Sequence, residues 1–139
     1  MMDTVSRGLS VEELKERVSD EPALNLLGIK IQGLSPGYAR LSLEVKKEHL
    51  NFSGRLFGGI TAALADEAFS LAVSSIVYPA VGTQLNVYYY SGAAEGDEVI
   101  AECRVSKSGK RLGFVEITIT NSNGTIIARA NGTYVPMAK

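Results

Sequence analysis

Asp66 and Glu67 stand together inside an apolar, small-residue stretch that runs from Gly58 to about Tyr78. A helix of that composition is buried over most of its surface. Burying a carboxylate costs several kcal/mol unless something compensates it, so an acid placed there is a candidate for chemistry. A desolvated carboxylate in a cleft has the raised pKa that a general base needs. The plainer account makes Asp66 an early-helix acid satisfied by nearby amides or hydroxyls. It fits less well, because Asp66 lies about two turns in, too deep for a cap. Glu67 points roughly 100° away around the helix, and its expected role is to meet a basic residue or solvent at the helix edge.

Gly58 and Gly59 open the same stretch. Two glycines can simply let the chain pass tightly into a helix. Unpaired amides at a helix start also attract negative charge and can hold a developing oxyanion; the two readings are compatible. Eight residues separate Gly58 from Asp66, so along one helix they lie roughly 12 Å apart. A reacting carbonyl must sit about 3 Å from both its oxyanion donor and the base or its water. One chain cannot supply both. The spacing therefore predicts a homodimer in which Asp66 of one subunit meets Gly58 of the other across antiparallel helices.

Other residues carry weaker signals. Ser70, at i+4 from Asp66, shares its face and could orient a water or the carboxylate, or bond back to its own helix. Asn51 could hold a water in place or merely make a turn. His49, the only histidine, sits among charged residues and reads as a solvated surface side chain. With one histidine and one distant cysteine, Cys103, no metal cluster is expected. No Gly-x-Ser-x-Gly, P-loop or dinucleotide fingerprint occurs.

The elements that must position these residues follow from patterning. At 139 residues and 45% hydrophobic composition the chain makes one folded domain over 1–139. A net charge of −1 gives no electrostatic case for nucleic acid or an anionic membrane. Asp66, Glu67 and four hydroxyl residues argue against a membrane span in 58–78. The lone Cys103, in a strand-like run, reads as core filler, and with no secretory leader evident the expected location is cytoplasmic. Residues 1–23 form an N-terminal helical extension, with a helix over 10–19 opened by a Ser10–Glu13 capping box and Pro22 just beyond its end. A short apolar run from Gly28 to Leu34 leads into the Ser35-Pro36-Gly37 turn. Tyr38 to Val45 then alternates as a half-buried strand.

After the apolar helix, strands are expected over Val81–Tyr90, Val99–Val105, Arg111–Thr120 and Thr125–Val135. The breaks at Ser91-Gly92, Glu95-Gly96-Asp97, Ser108-Gly109 and Asn121-Ser122-Asn123-Gly124 are hairpin-compatible. Two early strands, one long helix and four strands in meander give an α+β fold, an antiparallel sheet wrapped around one central helix. Its open edges can be hidden by joining strands across two chains.

Asn51-x-x-Gly54-x-x-Phe57-Gly58-Gly59 followed by Asp66 resembles the hot-dog fold acyl-CoA thioesterases, in the phenylacetate-degradation and 4-hydroxybenzoyl-CoA thioesterase-like branch. Leu85-Asn86-Val87-x-Tyr89, Val105-x-Lys107-x-Gly109-Lys110-Arg111 and Gly124-Thr125-Ile126-Ile127-Ala128 extend the likeness over roughly 24–135. The resemblance implies hydrolysis of a fatty or aromatic acyl-CoA to the free acid and CoA. Asp66 would be the base or nucleophile, the Gly58 amide would polarise the carbonyl and Asn51 would position the water. It further implies supporting hydroxyls from Ser70 and Thr83, with Lys107, Ser108, Lys110 and Arg111 near the CoA phosphates. No cofactor is implied beyond the coenzyme A of the substrate, and dimers would assemble into a tetramer. One departure stands out: relatives carry His before the Gly-Gly pair, and this chain has Phe57. That change keeps open a non-catalytic acyl-CoA-binding module; a hydratase or dehydratase fits less well, since His49 is poorly placed for it. Tyr88, Tyr89, Tyr90 and Phe69 could line an acyl pocket or serve as core and dimer contacts.

Overall fold

The computed structural model describes residues 7–138, so the first six residues of the N-terminal extension and Lys139 lie outside the described residues. Helix α1 spans Val11–Ser19, and its capping box forms as expected: the Glu13 amide donates to Ser10 Oγ at 3.1 Å and the Ser10 amide to Glu13 Oε1 at 3.0 Å. Pro22 does not lie in a loop. It opens a second helix, α2 (Pro22–Leu27), at a first-turn position where its missing N–H is no loss. Gly28, at φ 77°, closes α2 in the left-handed conformation.

Strands β1 (Lys30–Ser35) and β2 (Tyr38–Glu44) make the first hairpin, and the long helix α3 covers Gly58–Ser74. Strands β3 (Ala80–Tyr89), β4 (Glu98–Ser108), β5 (Gly113–Asn121) and β6 (Ile126–Pro136) follow. They form one antiparallel six-stranded sheet in the order β1-β2-β4-β5-β6-β3. Only β4, β5 and β6 run as a meander. β3 pairs with β6 at the far edge, so Ser91-Gly92 and Glu95-Gly96-Asp97 belong to a crossover and not to hairpins. The crossover is fixed by backbone bonds to distant segments. The Tyr90 and Ser91 amides donate to the Ile127 carbonyl, Leu56 to Ala93 and Gly96 to Val45. These long-range partners explain why turn residues there do not fold the chain back locally.

Helix α3 packs against all six strands. Leu64, Ala65, Ala68, Phe69 and Leu71 of α3 are buried with Leu41 and Leu43 of β2, Val99 and Cys103 of β4, and Ile117 and Ile119 of β5. Each large apolar side chain so buried contributes roughly 1.5–3 kcal/mol, and the alanines let the helix approach the sheet closely. Cys103 is fully buried core, and burial pushes its thiol up to about 12. His49 is also buried, which overturns the expectation of a solvated side chain. Its Nδ1 accepts from the Lys46 amide at 2.9 Å, which leaves Nε2 to donate to the Leu27 carbonyl at 3.1 Å. One imidazole thus ties the loop before α3 to α2.

Candidate active site

Helix α3 buries the side carrying Leu64, Ala65, Ala68 and Phe69, while Asp66 and Ser70 remain on an open side. Asp66 is therefore not entombed, as the apolar stretch alone would have it. It stands at the mouth of a cleft of about 270 Å³ with Phe69, Ser70, Ser74, Gly82 and Tyr134 in the wall. Partial burial, and then the nearby Glu21 carboxylate, raise the Asp66 pKa above the ordinary aspartate value. Ser70 shares that cleft, one turn on. Thr83 does not line it: it is the bulged residue between Gly82 and Gln84 in the β3–β6 pairing. Its hydroxyl lies 2.9 Å from that of Thr133. From β3 the cleft is lined by Ala80 and Gly82, neither of which has a hydroxyl to offer.

A second cleft, of about 310 Å³, lies at the start of α3 and is lined by Asn51, Arg55, Gly58, Thr61, Tyr89 and Tyr90 among others. Gly58 is the first residue of the helix, and Phe57 before it supplies no side-chain cap. The Gly58 amide thus belongs to the helix-start donors that have no partner within the helix. The Phe57 ring leans over Gly59, where an added Cβ would fall 2.5 Å from it. Asn51 has a defined structural role: its Oδ1 accepts from the amides of Ser53 (2.9 Å) and Arg55 (3.1 Å). Only its NH2 end is left for a ligand.

The structure thus groups Asp66 with Ser70, and Gly58 with Asn51, in two clefts of the one chain. Of the aromatic residues, Phe69 lies in the first cleft and Tyr89 and Tyr90 in the second. Tyr88 lies instead in a groove with Phe114 and Arg129. Lys107, Lys110 and Arg111 are exposed around the β4–β5 connection. Ser108, beside them, accepts a hydrogen bond from the Tyr134 hydroxyl at 3.1 Å. Since Tyr134 also lines the Asp66 cleft, this buried tyrosine joins the basic hairpin to that half of the site. Sequence reasoning missed Tyr134, and no local signal marks it, since its partners are distant in the chain.

Glu67 is the larger correction. Among the described residues it meets no basic residue: it faces the Glu21 carboxyl from the α1–α2 corner, and its Oε2 is buried with no hydrogen-bond partner among them. Burial, followed by the contact with Glu21 and the charges of Glu21 and Asp66, pushes its pKa up to about 8. Three carboxyl groups therefore crowd this side of α3.

Comparison with known proteins bears on the family and the fold. The family model described as the thioesterase superfamily matches residues 53–128. Human acyl-coenzyme A thioesterase 13 is 32% identical over 108 residues, covering 76% of this chain and 77% of that protein. The solved structure of the E. coli PaaI protein, from the phenylacetic acid degradation operon, superimposes with a TM-score of 0.88 at 25% identity. The match covers 91% of this chain and 92% of that one. The smu.793 protein of Streptococcus mutans, solved bound to acetyl CoA, gives a TM-score of 0.77 at 25% identity, covering 80% and 90% of the two chains. The chain belongs to the thioesterase superfamily, has the hot-dog fold and is a thioester hydrolase.

Proposed function

We propose, from this membership, that the protein hydrolyses a fatty or aromatic acyl-CoA to the free acid and CoA at sites shared between two subunits. Asp66 takes a proton from water as the water oxygen bonds to the thioester carbonyl carbon. The Gly58 amide of the partner subunit receives the oxyanion. The C–S bond then breaks, and the CoA thiolate leaves and is protonated. Direct attack by Asp66, through a mixed anhydride, would use the same carboxylate. A single turnover in ¹⁸O-water tests for it: label in the Asp66 side chain marks an anhydride cleaved by water at the Asp66 carboxyl carbon, an outcome that water activation cannot give. No cofactor takes part, since water is the second reactant and CoA is part of the substrate.

The observation that carries this reading is that Asp66 and Gly58 line two different clefts at separate positions along α3, the first without Gly58 and the second without Asp66. The β3 edge, which has no neighbouring strand on one side among the described residues, gives the subunits a place to join. The naming of a relative as an acyl-coenzyme A thioesterase, and the acetyl CoA bound by another, support the substrate class. Lys107, Lys110 and Arg111 fit the CoA phosphates electrostatically. We place further pairing of dimers into a tetramer on the outer groove, where Tyr88, Tyr90 and Phe114 are exposed. The single buried cysteine fits a cytoplasmic protein.

Release of CoA thiol across a panel of aliphatic and aromatic acyl-CoA esters tests the reading. Wild type should turn over one class, and Asp66→Asn should lose at least about 100-fold in kcat, the scale of a general base. An Asp66→Asn variant as fast as wild type would sink the mechanism.

A further inference from the structure

The helix start that carries Gly58 is short of restraints. Two glycines occupy its first positions, and neither has a side chain to limit its backbone. Phe57 supplies no cap, and its carbonyl is shared between the amides of Ile60 (2.9 Å) and Thr61 (3.3 Å). Such an end frays easily, and a frayed amide is a poor oxyanion donor, because preorganisation is what gives the donor its effect.

Among the described residues, one side chain hydrogen-bonds to this first turn. The Tyr89 hydroxyl donates to the Gly58 carbonyl oxygen at 2.9 Å. The Tyr89 ring also lies against the same residue: a Cβ on Gly58 would meet its Cε1 at 3.4 Å and its Cζ at 3.5 Å. Tyr89 itself is well held, as the last residue of β3, paired with Ala128 of β6 and followed by the Tyr90 and Ser91 amides on the Ile127 carbonyl. We infer that Tyr89 is a positioning residue for the reaction: its hydroxyl and ring pin Gly58 from the carbonyl and Cβ sides, so that the helix start presents its amide in one direction. This rests on the proposed role of the Gly58 amide, and Tyr89 is not assigned a contact with the reacting atoms.

The test is Tyr89→Phe, which deletes the hydroxyl and keeps the ring, assayed at a protein concentration where variant and wild type show the same oligomeric state. The kcat should fall by about three- to tenfold, the rate equivalent of one hydrogen bond, while KM changes less than about twofold. Hydrogen exchange of the Gly58 to Thr61 amides, followed by NMR, should speed up by a similar factor. Unchanged exchange, or a raised KM with kcat intact, would overturn the inference; the latter would make Tyr89 a substrate contact. Exchange also separates the two readings: if wild type hydrolyses no acyl-CoA but exchange accelerates in Tyr89→Phe, the proposed function fails and the pinning of the helix start stands.

Discussion

Burial and the Glu21 charge raise the pKa of Asp66, which sets the pH dependence of the rate. A base works when deprotonated, so kcat/KM should rise with pH through the raised Asp66 pKa. Glu21→Gln removes a negative charge and should move that midpoint to lower pH, which a pH–rate profile reads directly. Glu67 bears on stability with the opposite slope. Its pKa is about 8 in the folded protein against an ordinary 4.5, so the folded state binds this proton more tightly than the unfolded chain. Its stabilising contribution is full below about pH 4.5 and is lost as the pH rises through about 8. Glu67→Gln should flatten the fall of Tm over that window and gain roughly 1–2 kcal/mol at its upper end. This is less than the bare shift would give, because the group is only partly buried and solvent screens it. A variant curve parallel to wild type would show that the folded state does not hold the Glu67 proton more tightly than the unfolded chain does.

At the scale of elements, the cleft wall depends on a cross-strand pair, Gly113 of β5 opposite Tyr134 of β6. A Cβ on Gly113 would fall 2.0 Å from the Tyr134 ring, which is fully buried and hydrogen-bonded to Ser108. Gly113→Ala should therefore cost about 1–3 kcal/mol or more in denaturant unfolding. It should also raise KM, because the same ring lines the Asp66 cleft. The sequence makes the strands and the long helix readable because alternation and small apolar runs are local properties. The capping box of α1 and the Asn51–Ser70 stretch are legible for the same reason. What escapes is set by distant partners. Pro22 reads equally well as a stop after α1 or a start for α2, and β3 carries no local mark that β6 is its neighbour. The burial of His49 on the Leu27 carbonyl, Glu21 beside Glu67 and Asp66, and Tyr89 on Gly58 all join residues far apart in sequence. Thr83 shows the limit within one strand: a bulge turns it to Thr133 and leaves Gly82 facing the cleft.

For the whole molecule, the question is whether the two clefts work across subunits. Gly58→Pro offers a clean way to delete one half-site. Proline is tolerated at the first helical position and has no N–H to donate. Phe57, at φ −59° and ψ 127°, already holds the extended conformation that a residue before proline requires. The fold should survive, and kcat should drop by about 100- to 1000-fold, as for loss of an oxyanion donor. Mixing and refolding equal amounts of Gly58→Pro and Asp66→Asn then decides the assembly. In a shared site, a mixed dimer has one site with both lesions and one with neither. Half the dimers are mixed when pairing is random, so about a quarter of wild-type activity should return from two nearly inactive proteins. Were each chain to use its own Asp66 and Gly58, every site in the mixture would carry a lesion and no activity would return. Recovery that depends on subunit exchange would place catalysis in the pair, where the roughly 12 Å between the two residues along one helix ceases to separate base from oxyanion donor.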